Sequence, residues 1–187
     1  MPSRKAITFF LIGLVVGLIA GYLITSNLCG TRVKEKEFSM IQEQAILGAY
    51  FSPKDSCSSK LIYWFNRANK SIHVMIYSFT LDSVSDALIK AHKKGIKVLV
   101  IMEKNQVDEY SEYEKLKNAG ISVRLDSNQA LMHNKVAIID GKIVITGSYN
   151  WSRNAEYENN ENMIIILSTE VSQVYEKEFQ RIWIEGK

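Results

Sequence analysis

The sequence is short of the residues that build small metal and disulfide modules. Its only cysteines are Cys29 and Cys57. Two are too few for a disulfide framework, and neither joins a CxxC pair or a Cys/His cluster of the kind that holds zinc. The three histidines, His73, His92 and His133, stand far apart. No internal repeat or low-complexity tract is present, which excludes solenoid arrays and biased disordered chains. A one-signed charge is missing too. The formal net charge is +3, but residues 1–36 hold five of the 23 basic residues and one of the 20 acidic ones, leaving the remainder at −1. The basic excess flanks an apolar segment and is not in itself a nucleic-acid footprint.

That segment is AITFFLIGLVVGLIAGYLI, residues 6–24, which carries no charge. As a helix it rises about 28 Å, close to the roughly 30 Å of a bilayer core. It is longer than the apolar core of a secretory signal, about 7–15 residues, and the following TSNLCG offers no small-x-small cleavage site. An uncleaved single-pass anchor is expected, with a cleaved signal peptide as the alternative. Arg4 and Lys5 precede it and Arg32, Lys34 and Lys36 follow it, so the positive-inside rule does not decide its orientation. Gly13, Gly17 and Gly21 repeat at spacing four, a face on which two membrane helices can approach, although glycine is common in such helices. The expected organisation is a short basic N-terminus at 1–5, a span at 6–24, a juxtamembrane linker at 25–43 and a catalytic domain at 44–187.

Within 44–187 two periodicities alternate. Cys57, Leu61, Trp64, Phe65 and Ala68 fall at helical spacing, as do Val84, Ala87, Leu88 and Ala91. Tyr110, Tyr113 and Leu116 predict a third helix closed by Gly120. Val171, Val174, Tyr175, Phe179, Ile182 and Trp183 predict a last one. Between them lie short β-branched runs at 71–79, 96–102, 121–125, 135–139, 142–146 and 162–167, with another candidate at 45–51. Strands alternating with helices, then a hairpin, predict an α/β fold with a mixed β-sheet flanked by helices.

The richest stretch is HNKVAIIDGKIVITGSYN, residues 133–150. Asp-Gly between two apolar runs is a strong signal of a two-residue hairpin turn. Pairing Ile139 with Lys142 sets Lys135 opposite Thr146 and His133 opposite Ser148. By alternation, His133, Lys135, Ser148 and Asn150 then share a face, and Asp140 falls at the far tip, a turn-former or structural acceptor. An imidazole, an ammonium, a hydroxyl and a carboxamide, without clustered carboxylates for Mg²⁺ or Ca²⁺, suit a phosphodiester handled without metal or other cofactor. Lys135, Ser148 and Asn150 stabilise the phosphate oxygens and His133 attacks phosphorus. The nucleophile needs an acceptor on its other ring nitrogen. Glu161 is the candidate, ahead of Glu156 and Glu158 in the middle of a polar loop. His73 reads as a partly buried strand residue and His92 as a solvated helix end. Tyr77, Phe79 and Trp151 read as core or rim, and Lys104 and Arg153 as exposed.

The spacing His133-x-Lys135-x4-Asp140-x6-Gly147-Ser148-x-Asn150 resembles the HKD motif of the phospholipase D superfamily. YSFT at 77–80, SN at 127–128 and GSYNWSRNAEYENNEN at 147–162 extend the likeness to the small bacterial Nuc-type endonucleases over roughly residues 44–187. The resemblance implies a phospholipase D-like fold, with His133 as nucleophile through a phosphohistidine, Lys135, Ser148 and Asn150 as phosphate ligands, Glu161 as the acid on the histidine, and Asp140 and Gly147 in structural parts. It also implies a second histidine to protonate the leaving group. This chain has one motif, so a homodimer with a site shared across the two-fold is expected. A nonspecific endonuclease is the first expectation. A phospholipase D-type lipid hydrolase is the second, since the anchor keeps the site beside phospholipid. A catalytically silent membrane-tethered binding module is the third. The catalytic domain is expected outside the cytoplasm, or secreted or periplasmic if the segment is cleaved.

Overall fold

The apolar runs that lack alternation lie side by side at the centre of a sheet, where both faces are covered. The computed structural model describes residues 44–187. Its elements are β1 (Ala45–Ser52), α1 (Cys57–Phe65), β2 (Ser71–Ile76), α2 (Asp82–Lys93), β3 (Lys97–Met102), a 3₁₀ turn (Lys104–Gln106), α3 (Tyr113–Asn118), β4 (Ser122–Leu125), β5 (Lys135–Ile139), β6 (Ile143–Gly147), α4 (Arg153–Tyr157), β7 (Glu161–Leu167) and α5 (Thr169–Glu185). The seven strands run in the order β1-β7-β6-β5-β2-β3-β4. β2, β3 and β4 are parallel, and the remaining pairs are antiparallel. The sheet is therefore mixed, as its sequence pattern predicts.

Alternation along the strands feeds two cores. On one face Ile72, Val74, Ile76, Ala137 and Ile145 pack under Leu61 and Phe65 of α1, Val84 and Leu88 of α2 and Leu116 of α3. On the other Met75, Ile101, Val136, Ile138 and Val144 meet Phe179 and Ile182 of α5. Each Val, Leu, Ile, Phe or Met among them contributes roughly 1.5–3 kcal/mol when fully buried. His73 faces α5, stacked on Phe179 with centroids 4.7 Å apart, and its Nδ1 meets the Glu176 carboxylate at 2.8 Å.

Three expectations shift at element ends. Tyr110 lies before α3 and is exposed, so the helix is shorter than its aromatic spacing implied. β2 stops at Ile76, and Phe79 forms an isolated bridge to Trp151 instead. Glu156 is not in an open polar loop. It lies in α4, 5 % exposed, where its carboxylate accepts bonds from Ser56 Oγ, the Ser58 N–H and Oγ, and the Tyr149 hydroxyl. A carboxylate at the start of α1 satisfies one of that helix's free N–H groups and complements its dipole.

Among the described residues no helix is long and apolar enough to cross a membrane. The expected span at 6–24, its glycine face and the linker at 25–43 lie outside the described residues.

Candidate phosphate site

The Asp140-Gly141 turn forms with φ of +55° and +64°, and the Lys142 N–H donates to Ile139 O at 3.0 Å. These are the features of a type I′ turn. The ladder beyond it, however, pairs Ile139 with Ile143 and Val136 with Thr146. Lys142 drops out of the pairing, its N–H kept in the turn and its carbonyl accepting the Ser168 N–H after β7, 2.8 Å away. This one-residue shift overturns the expected register. Lys135 no longer faces Thr146, and simple alternation would carry Ser148 to the opposite side of the sheet from Lys135.

The chain turns at Gly147 instead. Its φ is +154°, and a Cβ there would stand 2.1 Å from Asn162 O, a place only glycine fills. Ser148 and Tyr149 then both donate to that one carbonyl, at 3.0 and 3.2 Å, a bulge that re-aims the side chains. Tyr149 and Trp151 turn into the core, while Ser148 stays exposed. Ser148 Oγ donates to Glu161 Oε2 at 2.5 Å and accepts from the Asn162 N–H and Nδ2 at 3.1 and 3.2 Å. Glu161 opens β7, and its other oxygen accepts from Asn159 Nδ2 at 2.9 Å.

Lys135 opens β5 and is 7 % exposed. Its Nζ donates to the His133 carbonyl at 2.8 Å and sits 4.8 Å from the Tyr77 ring centroid. Among the described residues it has no carboxylate within ion-pair distance. Burial pushes its ammonium down from 10.5 to about 8, against the weaker pull of the Glu161 charge.

His133 is exposed, with its imidazole edge-on to Tyr77. A groove of about 600 Å³ opens beside it, lined by Asn128, Leu131 and, from α5, Glu178, Arg181 and Glu185 among others. No hydrogen bond joins His133 to Glu161 within one chain. Asn150 follows two residues after Ser148, with Oδ1 buried and without a donor among the described residues. Asp140 lies at the other end of β5, about 16 Å of strand from Lys135. There it accepts the N–H groups of Asn69, Lys70 and Ser71 at 2.7–3.1 Å. The structure thus joins Ser148 to Glu161 and Lys135 to the His133 backbone, and it keeps Asp140 apart. Tyr77, which read as core or rim, touches both His133 and Lys135. Its place directly after the apolar run of β2, at the mouth of the hairpin, is the signal that could have found it.

Residues 61–183 match the family described as cardiolipin synthase, PLD-like domain. The mitochondrial cardiolipin hydrolase of Chlamydomonas reinhardtii is 31% identical over 134 residues, 71% of this chain and 60% of that protein. The chain therefore spans less than two thirds of the length of this relative. The phospholipase D of Rickettsia prowazekii is 28% identical over 177 residues, 88% of this chain and 86% of its own. Among solved structures, Nuc from Salmonella typhimurium, a phospholipase D family member, superposes with a TM-score of 0.74 at 30% identity, covering 78% of this chain and 97% of that one.

Proposed function

Because the chain belongs to the phospholipase D superfamily, we propose that it is a hydrolase of phosphodiesters acting through His133. The observation that carries this reading is the buried Lys135 ammonium, without a carboxylate partner, bonded to the backbone of that histidine. Lys135, Ser148 and Asn150 neutralise and hold the non-bridging oxygens. A nitrogen of the His133 ring attacks phosphorus, so that a P–N bond forms as the P–O bond to the leaving alcohol breaks. The leaving oxygen takes a proton from His133 of the partner subunit. Water then attacks phosphorus, returning a proton to that second imidazole while the P–N bond breaks. Glu161 takes up a His133 ring by exchanging its bond with Ser148, which frees the serine hydroxyl for a phosphate oxygen. Charge neutralisation rests on side chains alone, so the reaction needs no metal. The working unit is a C2 homodimer. It is held at a membrane by residues 6–24, with residues 44–187 outside the cytoplasm.

Nucleic acid is the first substrate class, on the strength of the likeness to Nuc across nearly all of that chain. Phospholipid is the second, and one observation favours it. The groove beside His133 is walled by Asp126, Glu178 and Glu185, and its one permanent cation among the described residues, Arg181, is already bonded to both glutamates. Such a wall repels a polyanionic strand more than a single phosphodiester. The test is the full-length chain in detergent, assayed with EDTA on DNA, RNA and phospholipid vesicles. Cleavage in any arm that is lost in His133→Ala supports the mechanism, and the arm that responds names the substrate. Cleavage that survives His133→Ala, or that EDTA abolishes, refutes it.

A further inference from the structure

Glu103, the residue after β3, has no exposed surface at all. Among the described residues no Lys, Arg or His lies within ion-pair distance of it. The oxygens of a buried carboxyl group need hydrogen-bond partners. Here two backbone groups are those partners. The Asn105 N–H donates to Oε1 at 3.1 Å and the Met132 N–H donates to Oε2 at 2.7 Å. The first bond caps the 3₁₀ turn. The second reaches 29 residues along the chain, to the residue immediately before His133.

The backbone around His133 is thus held on both sides. Met132 N–H is held by Glu103, and the Asn134 carbonyl accepts the Tyr77 N–H at 2.9 Å. The imidazole itself has no hydrogen bond among the described residues and packs edge-on to the Tyr77 ring. Its aim is therefore set by where its backbone is pinned. Lys135 also bonds the His133 carbonyl, but that ammonium serves the phosphate. Glu103 anchors the segment from outside the phosphate site, on the peptide unit whose Leu131 carbonyl accepts from Asn128 Nδ2 at 3.1 Å. Its own N–H donates to Ile76 O at 3.2 Å, so the anchor is fixed to the end of β2, the same strand end that leads into Tyr77.

We infer that Glu103 is a positioning residue. Its buried carboxylate, by binding the Met132 N–H, fixes the direction from which the His133 imidazole meets phosphorus. This rests on the reading of His133 as the nucleophile. A misplacement on the order of 1 Å at a reacting group costs about a hundredfold in rate, so an anchor on the backbone of the preceding residue has a measurable effect.

The experiment compares Glu103→Ala and Glu103→Gln in the full-length chain in detergent. It uses bis(4-nitrophenyl) phosphate for kcat and KM, thermal melting for folding, and the imidazole proton–nitrogen NMR signals of His133 and His92 for geometry. Glu103→Ala is expected to lower kcat about tenfold or more with KM within about twofold. It should also shift the His133 signals while leaving those of His92 in place. Glu103→Gln keeps a carbonyl oxygen for the Met132 N–H and is expected to return kcat to within about threefold of the parent. Should the alanine variant fail to fold, Glu103→Asp, too short to span both N–H groups, takes its place in the same comparison. An unchanged kcat and unmoved His133 signals in the folded variant overturn the inference, as does a glutamine variant no better than alanine. If the parent chain shows no phosphodiesterase activity, the nucleophile reading fails, and the His133 signals alone still decide whether Glu103 holds that residue in place.

Discussion

Tyr77 meets the imidazole of His133 with ring centroids 4.4 Å apart and planes inclined by 61°. The geometry is edge to face, the favoured arrangement for rings whose like quadrupoles repel face to face. The same tyrosine lies under the Lys135 ammonium. One aromatic ring therefore steadies both groups that the proposed reaction needs. Replacing it by leucine removes a cation–π contact worth about 0.5–2 kcal/mol, and kcat is expected to fall about tenfold, the equivalent of 1.4 kcal/mol. Tyr77→Phe keeps the ring and is expected to stay within about threefold. Steady-state kinetics on the two variants checks this, and equal losses in both would assign the effect to the hydroxyl.

Lys135 makes binding and stability respond to pH in opposite senses. Its folded-state value of about 8 lies below the ordinary 10.5. Between these values the unfolded chain binds the extra proton, so stability rises with pH there, and the cost of the buried charge is present in full below pH 8. Binding of inorganic phosphate should run the other way, weakening towards tenfold per pH unit above 8 as the ammonium is lost. Calorimetric titration from pH 7 to 10 reads one trend and urea melts read the other. Lys135→Met should abolish both.

Gly147→Ala tests the bulge. The added methyl meets a backbone carbonyl, not a flexible side chain, and the φ is one that L-residues avoid. A loss of about 1–3 kcal/mol is expected for the strained backbone alone. A lower melting temperature together with lost activity is the predicted pair. An unaltered melting temperature would mean that the chain does not turn at this residue.

Asp140 is predicted to matter for stability and not for chemistry. Burial raises its carboxyl, but the N–H groups of Ser71, Asn69 and Lys70 more than offset this and hold it below its ordinary value. A lowered carboxyl contributes stability that is fully present above the ordinary 3.8 and is lost as the pH falls through the folded-state value. Asp140→Ala should cost about 1–3 kcal/mol at pH 7, as expected for bonds to a charged acceptor. The difference from the parent should shrink in acid. The kcat per folded molecule should be unchanged.

A shared site has an arithmetic signature. If each catalytic unit needs His133 from two copies, mixing parent and His133→Ala chains in equal amounts, unfolded and refolded together, leaves about a quarter of the dimers intact. Activity falling with the square of the parent fraction supports the two-fold site. A linear fall points to one complete site per chain.

Much of this architecture was legible because local pattern and fold agree. Asp140-Gly141 marked its turn, and β-branched runs marked the central strands. What was not legible came from partners distant in sequence. The register slips by one at Lys142, whose N–H stays in the turn while its carbonyl bonds Ser168 after β7, which nothing in the hairpin announces. Glu156 sits in a polar run, and only Ser56 and Ser58, brought from α1, make it a buried cap. Glu103 ends an apolar strand followed by Lys104 and Asn105, the pattern of a solvated loop, and its burial depends on the segment before His133. Tyr77 followed an apolar run and so resembled core. At the candidate site the residue types stand in the sequence itself, whereas their mutual orientation depends on the turn at Gly147.

The pairing of β1 with β7 also acts in time. β1 is an edge strand with Ile46 and Phe51 exposed, and its one neighbour in the sheet is the last strand of the chain. During synthesis, at roughly 5–20 residues per second, it emerges seconds before that neighbour exists. Throughout that interval an apolar segment with open N–H and C=O groups stands next to the ribosome without a mate, a state in which nascent chains associate with one another. Among the described strands, β1 is therefore the one that waits longest for its partner.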